Sequence, residues 1–128
     1  MKTGRFRPHS WRQKFAHASR GLNRAIRTQH SFAVHMAIGG VAVGAAGLLR
    51  VTAVEWAVLA VTIGLVLVTE TVNTAVESLA RAVDTGFHPR LRDALDISSA
   101  AVLLAAATAV AVGLAIFGPR LVSLLCAG

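Results

Sequence analysis

Five polar residues in the second half of the chain, Glu70, Asn73, Glu77, Arg81 and Asp84, follow one another at offsets of three, four, four and three. At helical periodicity these offsets put all five on one face. Carboxylates grouped in this way can take a proton from a hydroxyl or hold a hard cation through oxygen. Their setting makes the grouping informative, because the preceding residues, Ala57 to Val68, are apolar except for Thr62. An ionisable group in an apolar span costs roughly 2.5 to 3.5 kcal/mol at a helix centre and less near the interface, so it usually has a partner or a task. A polar zipper between helices, or snorkelling at a helix end, would account for the same stripe without chemistry.

The elements that must position this stripe follow from composition and periodicity. The chain has 128 residues, a length that suits one domain, and 55% of them are hydrophobic against 15% charged. That is too apolar for a soluble domain and implies lipid as the solvent for much of the surface. Apolar runs over 33–49, 53–83 and 95–117 predict three membrane-spanning helices. The second and third are separated by a polar loop, Asp84 to Asp93, and the third apolar run ends at Gly118 and Pro119. Residues 54–83 form a helix of roughly 45 Å against a hydrocarbon thickness of about 30 Å, so the last turns project beyond the lipid core. Glu70 lies about 24 Å down it, close to the edge of the hydrocarbon. The fold class expected is all-α and polytopic, with residues 1–30 forming a basic amphipathic helix in the interface. A cleaved leader fits poorly, since about thirty residues separate the first basic residues from the apolar run.

Basic residues give an orientation. Eight of the thirteen Lys and Arg lie in the first thirty residues, Arg81, Arg90 and Arg92 surround the loop after the second span, and only Arg50 and Arg120 fall elsewhere. The amino terminus and that loop are therefore expected in the cytoplasm and the carboxyl terminus outside. The net charge of +7 does not point to nucleic acid, because no aromatic residues alternate with the charges as stacking platforms. An anionic membrane surface is the partner it suits. The single cysteine, Cys126, forms no intrachain disulfide. His17, His30 and His35 are too widely spaced for a zinc site. Gly39, Gly40, Gly44 and Gly47 recur at small-residue spacing and read as a helix-packing surface, and Trp11 and Trp56 as interface anchors.

The run Glu70-Thr-Val-Asn73-Thr74-Ala75-Val76-Glu77 closely resembles the signature Glu-x-x-Asn-(Thr/Ser)-Ala-(Ile/Val)-Glu of the diacylglycerol kinase and undecaprenol kinase family. The resemblance continues through Phe15-x-x-Ala18-x-x-Gly21-Leu22, Phe32-x-x-His35, Glu55-Trp56, His88-Pro89, Asp96 and the run Ser98 to Val102. It implies a homotrimer of three-span protomers that transfers phosphate from Mg-ATP to a lipid alcohol, diacylglycerol or undecaprenol, at the membrane surface. By the resemblance, Glu70 is the general base, Glu77 a metal ligand, and Asn73 and Asp96 surround the nucleotide and its ion. Gly86, Phe87 and His88 match a loop against the nucleotide.

Five positions depart from the family pattern. Gln29 stands where a second metal-binding glutamate is usual, and its neutral amide should bind Mg²⁺ more weakly. Arg81 replaces an aspartate and is placed to pair with Glu77 at i, i+4. Leu95 replaces a phosphate-binding lysine, with Arg92 one turn earlier as a substitute cation. Ser31 and Ala33 replace a neighbouring asparagine and arginine. A catalytically weak relative that binds nucleotide or lipid as a regulator is the alternative these departures support.

Overall fold

The computed structural model describes residues 10–83, 86 and 88–127 and is all-α: α1 (Trp11–Thr28), α2 (His30–Leu48), α3 (Ala53–Val83) and α4 (Pro89–Cys126). Helices α2, α3 and α4 are each long and apolar enough to cross a membrane. The chain is thus a polytopic membrane protein with an additional amino-terminal helix.

Helix α1 begins with a reciprocal cap. The Gln13 N–H donates to Ser10 Oγ at 3.4 Å, and the Ser10 N–H donates to Gln13 Oε1 at 3.0 Å. Trp11, Phe15, Leu22 and Ile26 share one face and are exposed, whereas Ala25 is buried. An apolar face left open in this way, flanked by arginines, suits the headgroup boundary of a bilayer. Gln29 interrupts the helical path with extended dihedrals (φ −114°, ψ 111°), capping α1 and opening α2.

The turn from α2 to α3 is tightly specified. The Val51 N–H donates to Ala46 O at 3.2 Å and the Arg50 N–H to Gly47 O at 3.4 Å, with Arg50 at φ 50°. This is a Schellman ending, with arginine in the left-handed position that glycine usually takes. Its hydrophobic closure is present too, since Ala46 and Val51 sit in one buried cluster with Leu59 and Ile116. Helix α3 then starts on a second reciprocal cap: Thr52 N–H donates to Glu55 Oε2 at 2.7 Å, and Glu55 N–H to Thr52 Oγ1 at 3.3 Å.

Helix α4 packs along α3, and α2 covers a shorter stretch of it. The Gly118-Pro119 pair, expected to close the third span, does not stop α4, which continues to Cys126. Proline removes one helical N–H and crowds the carbonyl four residues earlier. Contacts of Arg120 offset this, because its guanidinium donates to both Glu55 oxygens at 2.7 Å and to Ile116 O at 2.8 Å. The segment past the proline is therefore tied to the first turn of α3.

Candidate functional site

The polar stripe lies at the other end of α3, flanked by α2 on one side and α4 on the other. Glu70 is buried, with 3% of its surface exposed. Both of its oxygens face α2: Ser31 Oγ donates to Oε1 at 2.5 Å, and His35 Nε2 lies 3.9 Å from Oε2. One turn on, buried Asn73 faces α4. Ser98 Oγ donates to Asn73 Oδ1 at 2.7 Å, and Asn73 Nδ2 donates to Glu77 Oε1 at 3.0 Å. Arg81 then donates to Glu77 Oε2 at 3.2 Å, forming the i, i+4 pair expected from the sequence.

Two clefts border this stripe. One, of about 510 Å³ between α3 and α4, is lined by Glu77, Arg81, Gly86, His88, Arg92 and Leu95 among others. It brings together Glu77, Gly86 and His88 and places Arg92 beside Leu95. The second, of about 440 Å³ between α1 and α3, is lined by Arg24, Gln29, Thr74, Ser78 and Arg81 among others. Gln29 and Glu77 thus open on different clefts, with Arg81 bordering both. Asp96 is exposed and does not line the α3–α4 cleft, and Phe87 and Asp84 lie outside the described residues. A third, apolar cleft of about 380 Å³ runs between α2, α3 and α4, and His35 lines it.

Glu77 is the carboxylate open to the α3–α4 cleft, its side chain 33% exposed. Its two oxygens already accept from Asn73 and Arg81. Among the described residues no three His, Cys, Asp or Glu converge as a metal site. Magnesium keeps several waters and asks few ligands of a protein when phosphates supply the rest. This donor set fits an ion that arrives on nucleotide phosphates, met by one carboxylate.

Residues 16–117 match the family model described as prokaryotic diacylglycerol kinase. The chain belongs to that family. A diacylglycerol kinase of Synechocystis is 40% identical over 112 residues, which cover 87% of this chain and 64% of that protein. The chain therefore spans a little under two thirds of that relative's length. An undecaprenol kinase of Bacillus subtilis is 30% identical over 109 residues, covering 85% of this chain and 89% of the relative.

Ser31, His35 and Ser98 are the site residues that residue-by-residue reasoning passed over. Ser31 entered it as a departure and His35 as a bland histidine, yet both meet Glu70. A signal was available, since a buried carboxylate needs donors, and these two polar residues begin the neighbouring span.

Proposed function

We propose that the chain is an ATP-dependent kinase of a lipid alcohol, with Glu70 as the base. The observation that carries this reading is a buried carboxylate held by α2, two turns from a second carboxylate that opens on a cleft with arginines. Glu70 accepts the proton of the lipid hydroxyl as that oxygen attacks the terminal phosphorus of ATP and ADP leaves. Ser31 keeps Oε1 engaged and so fixes the rotamer of the carboxylate. His35 borders both Glu70 and the apolar cleft, which suits an acceptor whose chain lies in that cleft and whose hydroxyl reaches Glu70.

The nucleotide phosphates lie in the α3–α4 cleft. Glu77, with Asn73 beside it, would hold the Mg²⁺ that arrives with them, and Gln29, which opens on the neighbouring α1–α3 cleft, would add a neutral oxygen only where the two clefts adjoin at Arg81. The ion supplies neutralisation of the phosphate charge. Arg92 takes the phosphate-facing role that Leu95 cannot fill. Gly86 and His88, which line this cleft, lie against the nucleotide, and the family resemblance assigns Phe87 and Asp96 to the same binding role.

The assembly we propose is a homotrimer in a bacterial cytoplasmic membrane, with the amino terminus and the α3–α4 loop inside. Gly40, Gly44 and Gly47 support association, because a Cβ at any of them would meet nothing within 4 Å in the protomer. The names of the two relatives support diacylglycerol or undecaprenol as acceptor. The test is purified protein in lipid with labelled ATP, Mg²⁺ and a panel of lipid alcohols. Label should appear in a lipid phosphate, whereas nucleotide binding without transfer to any acceptor would replace the kinase reading with a regulatory one.

A further inference from the structure

The apolar cleft between α2, α3 and α4 has a polar mouth and a closed end. At the mouth is His35, among the described residues the one titratable group lining the cleft, with Nε2 3.9 Å from Glu70 Oε2. At the far end stand Leu59 and Phe117. Leu59 belongs to the buried cluster with Ala46, Val51 and Ile116, and Phe117 packs against that cluster, so the cleft stops there. From His35 to Ala45 it follows α2 for about 15 Å, against a hydrocarbon thickness of about 30 Å. Between its ends the cleft is apolar, because the hydroxyl of Thr62, its other polar lining residue, donates to Val58 O at 2.7 Å within α3.

Small residues form both walls, Gly39, Ala42 and Ala45 on α2 and Ala106, Ala109 and Gly113 on α4. An apolar cavity of about 150 Å³ takes one benzene, so the cleft of about 380 Å³ corresponds to about fifteen carbons. A helix about 10 Å across would need roughly 1,200 Å³ over the same 15 Å. The cleft is the size of a hydrocarbon chain and too narrow for a span of a second copy. Moving a chain into it from lipid gains little, since lipid tails are as apolar as its walls. Selection therefore falls to the mouth, where a hydroxyl can donate to Glu70 and a phosphodiester would bring a second negative charge beside a buried carboxylate.

We propose that this cleft holds a single hydrocarbon chain of a lipid alcohol, to a depth of about fifteen carbons, with the hydroxyl end at His35 and the closed end at Leu59 and Phe117. It rests on the kinase reading for the choice of an alcohol. Ala42 and Ala109, on opposite walls, then set the width of chain admitted. The chain is that of an isoprenoid alcohol, or one chain of a diacylglycerol whose other chain stays in lipid. The open side, rimmed by exposed Ile38, Val41 and Val110, lets a longer chain pass on into the bilayer.

The experiment is photolabelling in phosphatidylcholine nanodiscs without ATP, using an isoprenoid alcohol of about fifteen carbons with a diazirine at the end remote from the hydroxyl. Adducts should fall on Leu59 and Phe117, and a diazirine beside the hydroxyl should move them to His35 and Gly39. Ala42→Phe and Ala109→Phe fill the cleft from opposite walls, and each should cut closed-end labelling about tenfold. Ala107→Phe adds the same bulk to α4 at an exposed position outside the cleft and should leave labelling unchanged. Excess unlabelled isoprenoid alcohol or diacylglycerol should compete, the stronger competitor naming the source of the chain. Adducts spread over the outward residues Val61, Leu103 and Leu104, as a phosphatidylcholine with the same diazirine would give, would overturn the cleft. So would undiminished closed-end labelling in both filled variants. Because no turnover is measured, the two readings fail separately. Localised adducts without phosphate transfer keep the cleft and remove the kinase, and transfer with scattered adducts does the reverse.

Discussion

Each end of α3 carries a glutamate joined to an arginine, and the two pairs are built in opposite ways. Near the α2–α3 turn, Glu55 meets Arg120 across helices through two contacts of 2.7 Å, and Thr52 occupies Oε2 as well. Beside it lies the buried cluster of Ala46, Val51, Leu59 and Ile116. Near the α3–α4 loop, Glu77 and Arg81 share one helix, one contact of 3.2 Å and a cleft of about 510 Å³. A pair that closes every acceptor across two helices fixes the fold. A pair formed within one helix, with an exposed arginine and a cleft beside it, can open to a ligand at little cost. The same two residue types serve architecture at one end and exchange at the other.

Changes at the two ends should therefore separate. Glu77→Gln should lower the transfer rate by about 10- to 100-fold at limiting Mg²⁺, with partial recovery at higher Mg²⁺, because it removes the charged ligand. The melting temperature should hardly move, and an unchanged Mg²⁺ requirement would place the ion elsewhere. Glu55→Ala should do the reverse, lowering the melting temperature in detergent while leaving the Mg²⁺ requirement of the folded fraction intact. A normal melt in that variant would break the comparison. Arg81→Asp should release Glu77 and lower the Mg²⁺ concentration for half-maximal rate several-fold, against the direction of Glu77→Gln, and is read from a Mg²⁺ titration. Arg50→Gly relieves a left-handed arginine and should stabilise by no more than about 1 kcal/mol, a change measurable only as a small rise in melting temperature.

Local patterns were legible in the sequence and distant pairings were not. Apolar runs located α2, α3 and the middle of α4, and the offsets from Glu70 to Arg81 placed the stripe and its ion pair, because both depend on neighbours within one helix. The signature around Glu70 and Asn73 carried the family. What escaped depends on partners far along the chain: Ser31 with Glu70, 39 residues apart, and Arg120 with Glu55, 65 apart. Pro119 misled as a helix stop because that tertiary pair holds α4 through it. The Schellman turn was hidden because Arg50 fills a place usually marked by glycine. The splitting of Gln29 and Glu77 between two clefts follows from how α1 lies on α3, which no spacing reports.

The most direct test of the account is Glu70→Gln in lipid, with phosphate transfer and nucleotide affinity measured on the same preparation. Glutamine keeps the size of the side chain and can still accept from Ser31, but it cannot take a proton. The rate should fall by about a hundredfold or more while nucleotide affinity and melting temperature stay close to those of the parent. Turnover equal to the parent's would show that the buried carboxylate is not the base, and would return Glu70, Ser31 and His35 to the role of a structural link between α2 and α3.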